Sequence, residues 1–210
     1  MKNLIANLST SKAAMAVGIA FISSIIILTI VDDFLLANFV VPGDTATLAR
    51  DIESNGKRFG LAVFGYLLVL ALDSIIGLAL YVVLKPSNNK LALLTATLRL
   101  LYVGILVSGL FALVIHVVDV YGFATIKLFG YIFFSLHIFV LGYSVFKSGY
   151  IPKFFGVLLI IASFTYIVFF VDIQLPEILE VIIMLTMAIS EFILYVWLMV
   201  KRNSLPQNSI

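Results

Sequence analysis

Long apolar runs separated by short polar turns dominate the chain. The polar breaks leave six apolar stretches, at about 13–31, 59–84, 91–118, 126–146, 154–171 and 177–200. A helix of roughly 20 apolar residues spans the hydrocarbon core of a bilayer. The pattern therefore predicts an all-α fold, in which a bundle of six transmembrane helices forms one domain over residues 1–210.

The segment between the first two stretches differs from the other connections. Asp32 and Asp33 end the first apolar run, and Pro42-Gly43-Asp44 forms a predicted turn. Asp44 is a suitable N-cap for a short helix that ends near Ser54, and we expect this helix to lie on the outer membrane surface. The first run is long for a signal-peptide core and no small-residue cleavage site follows it, so we interpret it as a retained span.

Composition supports the membrane class and narrows the partners. Of the 210 residues, 63% are hydrophobic and 11% are charged. In soluble domains about 45 to 50% of residues are apolar and about 25% are charged. It has no cysteine, which removes disulfides and thiolate chemistry. A net charge of +2 does not indicate nucleic acid. The expected partners are the lipid bilayer and a small solute or a proton. No cofactor is expected, and the oligomeric state is not indicated.

The basic residues predict an orientation. If both termini are cytoplasmic, the inner segments hold eight basic residues and no acidic one, as the positive-inside rule requires. These residues are Lys2, Lys12, Lys85, Lys90, Lys147, Lys153, Lys201 and Arg202. We therefore predict a multi-pass protein of the cell membrane with the N- and C-termini in the cytoplasm.

Four ionisable residues fall inside the predicted spans, at similar depth. Counting helical rise from the nearest inner lysine places Asp73, Arg99, His137 and Glu191 roughly 14 to 18 Å from the inner boundary. A guanidinium cannot lose its charge, and in hydrocarbon it costs about 2.5 to 3.5 kcal/mol even on insertion scales. We expect these side chains to face the bundle interior, with Arg99 bridging both carboxylates in the bidentate geometry that its fork allows.

Helical phase extends this site. Tyr102 lies one turn from Arg99 on the same face, and one face of the sixth helix continues from Glu191 outward to Glu180 and Glu177. Asp73, Arg99, Tyr102, His137 and Glu191 are the hypothesised binding residues. Glu177 and Glu180 are the hypothesised acidic entrance.

The function classes remain open at this point. A polar cavity indicates a proton-linked site for binding or transport of a small solute, because intramembrane ionisable residues are typically functional. Asp73, Arg99 and Glu191 sum to one negative charge, which one proton on a carboxylate or on His137 would neutralise. The alternative is a structural or scaffold protein, whose buried ion pairs only fix helix packing. An intramembrane lipid hydrolase is the third possibility.

Motifs for catalysis or metal binding are weak. There is no Gly-x-Ser-x-Gly elbow, and two histidines about half a membrane apart cannot form a multi-histidine zinc site. His116 and Asp119 stand three residues apart, a spacing that can support a metal-ligand pair, but an interfacial histidine is the more ordinary interpretation. We assign no catalytic and no metal residue; whether the protein is an enzyme stays open, and a role other than catalysis is favoured.

One segment resembles a known family. The run 147–159, Lys-Ser-Gly-Tyr-Ile-Pro-Lys-Phe-Phe-Gly-Val-Leu-Leu, is preceded by His137 and Gly142-Tyr143. Together with Leu98-Arg99-Leu100 and the run 197–201, it is similar to the domain-of-unknown-function 4386 family of prokaryotic membrane proteins. The resemblance implies a six-span integral membrane protein, and it implies no established activity, substrate or catalytic residue.

Overall fold

The computed structural model describes residues 8–36, 45–170 and 175–207 and is entirely helical in those ranges apart from short turns. Its elements are α1 (Thr10–Thr29), α2 (Thr45–Leu84), α3 (Asn89–Val114), α4 (Val120–Lys147), α5 (Lys153–Phe170) and α6 (Glu177–Lys201). The predicted all-α class is confirmed.

Five of these helices are long and apolar enough to cross a membrane. The corresponding segments are Thr10–Leu36, Ser54–Leu84, Asn89–Val114, Val120–Lys147 and Glu177–Ser204. The apolar part of α5, Lys153–Val168, is shorter. Length and composition therefore support a helical membrane protein, and a sixth crossing through α5 stays a prediction.

Side-chain caps explain where two helices begin. Asn88 precedes α3, and its side chain accepts hydrogen bonds from the backbone N–H groups of Lys90 and Leu91. Asp119 caps α4 by accepting from Gly122 at 2.7 Å. The fourth helix therefore begins before the predicted start at about 126, because the Asp119 cap starts it at Val120.

The third and second helices also differ from the predicted bounds. The third helix ends at Val114 rather than near 118, and the turn that follows places His116 at a φ of 58°. The short helix expected before the second span is the N-terminal part of α2, which breaks at Asn55, where φ is −125° and ψ is 31°. The expected cap at Asp44 and the Pro42 turn lie outside the described residues.

The helices pack in the order of the chain, and α6 returns to contact α1. The α4–α5 contact is close, because a Cβ placed on Gly142 would lie 2.8 Å from the carbonyl oxygen of Gly156. The turn between these helices is fixed by Tyr150, whose hydroxyl donates to the Val83 carbonyl at 2.7 Å. Burial raises the pKa of Tyr150 to about 12. The resulting ring of helices surrounds the residues described next.

Candidate functional site

Arg99 on α3 is the centre of the site. Its side chain is 2% exposed, and its Nη2 donates to Oδ1 of Asp73 on α2 at 2.5 Å. Its Nη1 lies 3.3 Å from Oε1 of Glu191 on α6. The aliphatic stem of Arg99 packs beside Gly77 of α2, at ordinary contact distance from the position that a Cβ would take there. Two carboxylates from two other helices therefore compensate the buried guanidinium.

His137 on α4 completes the ring around Arg99. Its Nδ1 lies 2.8 Å from the carbonyl oxygen of Thr95, which can only accept, so Nδ1 carries the proton. Its Nε2 lies 3.2 Å from Nη1 of Arg99, which can only donate, so Nε2 accepts. From these partners we assign His137 as the neutral Nδ1–H tautomer. These contacts favour a carboxylate over His137 as the holder of the extra proton, because both ring nitrogens already have partners.

Tyr195 links Glu191 to Arg99. Its hydroxyl donates to Oε1 of Glu191 at 2.6 Å and accepts from Nη1 of Arg99 at 3.3 Å. The tyrosine is fully buried, and its ring packs edge-on against Phe21 of α1, with centroids 4.7 Å apart. We call Asp73, Arg99, His137, Glu191 and Tyr195 the Arg99 cluster.

The ion pairs differ from the predicted geometry. Arg99 does bridge two carboxylates, but it uses one nitrogen for each and forms no bidentate fork with either. Two Nη1 hydrogens serve three acceptors, and the buried Nε has no hydrogen-bond partner among the described residues. The hydrogen bonds of the two acids use only Oδ1 of Asp73 and Oε1 of Glu191. The second oxygen of each carboxylate accepts no hydrogen bond from the described part of the chain.

A cavity of about 330 Å³ extends from the Arg99 cluster. All six helices contribute to its wall, which contains three acidic and two basic side chains. The lining residues are Phe21, Ser24, Ile25, Leu28, Asp32, Tyr66, Val69, Asp73, Arg99, Tyr102, Leu106, Lys127, Tyr131, Phe134, Tyr166, Met184, Met187, Ala188 and Glu191. This volume lies within the range of small-molecule sites.

A second polar group forms the other end of the cavity. Tyr66 donates to Asp32 and accepts from Nζ of Lys127 at 2.8 Å, and Lys127 lies 3.6 Å from Asp32. Asp32 lies in the π-helical segment Ile30–Leu36 that extends α1. Tyr66 precedes Asp73 by seven residues, so the two polar groups are about 10 Å apart along α2. We call Asp32, Tyr66 and Lys127 the Asp32 cluster.

The remaining predicted residues lie in different places. Tyr102 lines the cavity and packs against Phe134, but within the described ranges it makes no hydrogen bond to Arg99. Glu177 and Glu180 are exposed in the first turn of α6 and are not part of the cavity wall, so their role as an entrance stays a prediction. His116 is exposed, and the part of the chain that the structure describes contains no group of three metal-ligating side chains.

Sequence reasoning missed the Asp32 cluster as part of the site. In the sequence, Asp32 and Lys127 stand out only as charges at the membrane boundary. A signal is present in Tyr66, which shares a helix face with Asp73 and therefore points toward the same interior. That Lys127 reaches Tyr66 across the bundle depends on interhelical distances, which the sequence does not contain.

Comparison with known proteins identifies the family. The sequence model described as "Domain of unknown function (DUF4386)" matches residues 16–122 and 112–201. The chain belongs to this family. A 107-residue stretch is 39% identical to a protein of Archaeoglobus fulgidus described as an uncharacterized protein. The aligned stretch covers 51% of this chain and 64% of that relative. No solved structure matches the chain.

Proposed function

We propose that this protein lies in the cell membrane and binds a small solute at a site where binding is coupled to the exchange of a proton. In this proposal the site has a role in transport, the chain forms one domain, α5 supplies the sixth crossing, and both termini are cytoplasmic. The observation that carries it is the cavity that reaches the Arg99 cluster. A protein in which the ion pairs only hold helices together would have its charges fully paired and no space beside them.

The charge balance supports proton exchange. Two carboxylates share one guanidinium, and the neutral His137 adds no positive charge. One negative charge would otherwise remain uncompensated among side chains that are at most 10% exposed, which is costly. A single bound proton removes this cost, and a solute cation that replaces it would couple its own binding to proton release.

Glu191 is the better position for that proton. Its contact with Arg99 is longer than that of Asp73, at 3.3 Å against 2.5 Å. The ionisable groups around Glu191 are Arg99 from α3, Asp73 from α2, His137 from α4, Tyr166 from α5 and Tyr195 from α6, whereas α1 contributes the apolar Phe21. Arg99 is therefore the one cation among them.

Infrared pH-difference spectroscopy of the purified protein tests this function. A protonated carboxylic acid has a carbonyl-stretch band that an ionised carboxylate lacks, and deuterium oxide shifts this band if the proton exchanges. We expect one such band in the wild-type protein, a deuterium shift of that band, and its loss in Glu191→Gln. Asp33→Asn is the matched control, since Asp33 is exposed and does not line the cavity.

The result that would overturn the proposal is equally specific. If Glu191→Gln folds and its difference spectrum is unchanged, then Glu191 exchanges no proton. If Asp73→Asn also leaves the difference spectrum unchanged, the ion pairs would be interpreted as structural, and the scaffold alternative would take the place of the proposed function. Thermal unfolding of the same samples verifies that each variant is folded.

A further inference from the structure

In the described part of the chain, the cavity wall contains no cation that is free for an anionic ligand. Arg99 is held by Asp73 and Glu191, and Lys127 is held by Asp32 and Tyr66. An anion that entered would have to displace one of these partners and would meet three carboxylates. The electrostatics of the wall therefore disfavour phosphate, sulfate and carboxylate ligands.

The same wall offers unused negative atoms. Three acidic and two basic side chains line the cavity, which leaves one net negative charge. Among the described residues, Oδ2 of Asp73 and Oε2 of Glu191 accept no hydrogen bond. A ligand carrying one positive charge would neutralise the wall and take the place of the proton proposed above. Charge complementarity thus points to a monovalent cation.

Aromatic rings supply a second kind of cation contact. Phe134 packs against Tyr102 and Tyr166, with ring centroids 4.8 Å and 5.1 Å away, and the guanidinium of Arg99 already lies 5.2 Å from the Phe134 centroid. Tyr131 stacks beside Tyr102 at 6.4 Å. Aromatic walls of this kind bind organic ammonium groups, whereas a hydrated metal ion prefers oxygen ligands.

The cavity also opens to the outside of the helix bundle between α1 and α6. These helices are in contact near the Arg99 cluster, where a Cβ on Gly18 would overlap the side chain of Met199. Farther along, Ile25 and Met184 line the cavity and are 40% and 50% exposed. On α6 no residue is buried before Ser190. This side of the cavity is therefore an apolar opening that suits a hydrophobic part of a ligand.

From these observations we infer that the cavity binds a monovalent organic cation with an apolar body. The charged group lies between Asp73 and Glu191, and the apolar body lies against the aromatic wall and the opening between α1 and α6. This inference rests on the proposed function, because it names the class of solute that occupies the same site and exchanges with its proton.

Equilibrium dialysis with three small probes of similar shape tests the ligand class. The probes are benzyltrimethylammonium, its neutral isostere neopentylbenzene, and the anion phenylmethanesulfonate, each with the full-length protein in a neutral maltoside detergent. We expect the cation to bind at least about tenfold more tightly than the neutral isostere, as buried charge and cation–π contacts require. We expect no saturable binding of the anion.

Paired variants locate the binding. Glu191→Gln should weaken cation binding at least about tenfold, whereas Asp33→Asn should leave it within about twofold. Met184→Trp should weaken it by a similar factor because the indole fills the opening. Ile178→Trp is the matched control, because Ile178 lies on the same helix, is 71% exposed and does not line the cavity. This substitution should leave cation binding unchanged.

The outcomes separate this inference from the proposed function. Equal binding of the three probes, or equal effects of Glu191→Gln and Asp33→Asn, would overturn the inferred ligand class even if the infrared band of Glu191 is present. If cation binding requires Glu191 but no infrared band of a protonated carboxyl group is seen, the inferred ligand class is supported and the proposed proton exchange is contradicted.

Discussion

The two ends of the cavity hold similar chemistry in different surroundings. In the Arg99 cluster the side chains of Asp73, Arg99 and Glu191 are 10%, 2% and 5% exposed, whereas Asp32 and Lys127 at the other end are 38% and 22% exposed. The Arg99 cluster has one acid too many, and the Asp32 cluster is neutral. Breaking an ion pair is therefore expected to cost much free energy of unfolding in the Arg99 cluster and little in the Asp32 cluster.

This difference also separates two roles. A half-exposed neutral pair can open and close with little change in free energy, because water replaces the lost partner. A buried and unbalanced cluster responds to any change of charge, because nothing else nearby compensates it. We therefore expect substitutions in the Arg99 cluster to change both stability and binding, and those in the Asp32 cluster to change mainly access to the cavity.

The largest expected effect is that of Arg99→Met. This substitution leaves Asp73 and Glu191 buried without a cation, and removal of one partner from a buried ion pair costs about 3 to 5 kcal/mol. The free energy of unfolding, measured by titration with a denaturing detergent, should fall by that amount. The triple variant Arg99→Met, Asp73→Asn, Glu191→Gln should recover most of the loss. A single variant within about 1 kcal/mol of wild type would contradict the buried cluster.

An intermediate effect compares the two acids. Asp73→Asn removes the closer partner of Arg99, and loss of a charge-assisted hydrogen bond costs about 1.5 to 3 kcal/mol. Glu191→Gln leaves the cluster with balanced charge and should therefore cost less. The same unfolding titration ranks the variants, and the opposite order would place the proposed proton on Asp73 rather than Glu191.

The smallest effect is expected at the other end of the cavity. Lys127→Met removes the cation of a half-exposed pair, so the free energy of unfolding should change by about 1 kcal/mol or less. It should be compared with Arg99→Met under identical conditions. Equal losses for the two variants would show that the two clusters are not in different surroundings.

The sequence predicted the membrane class and the main contacts of the site for a simple physical reason. Depth along a helix follows from residue count, so the residue numbers of Asp73, Arg99, His137 and Glu191 suffice to assign them to one layer. The missing countercharge for Arg99 then required them to meet. The predicted start of α4 was wrong because the cap at Asp119 was interpreted as the end of a span.

Other features needed the interhelical distances. The separate nitrogens that Arg99 uses, and the tautomer of His137, depend on which atoms meet across the bundle. The cavity is a property of how far α6 stands from α1, and no periodicity in the sequence encodes that separation. Lys127 is a further example, since its long side chain reaches Tyr66 from a boundary position.

The central claim is that solutes can enter the space beside the Arg99 cluster, and the absence of native cysteine allows a direct measurement. Ser24 lines the cavity and is 7% exposed, whereas Ser190 is fully buried and does not line it. Ser24→Cys and Ser190→Cys are near-isosteric, and each provides the protein with a single thiol. A small cationic methanethiosulfonate should modify Ser24→Cys rapidly, and benzyltrimethylammonium should protect it, while Ser190→Cys stays unmodified. If Ser24→Cys is as unreactive as Ser190→Cys in the folded protein, the cavity admits no solute and the account is wrong.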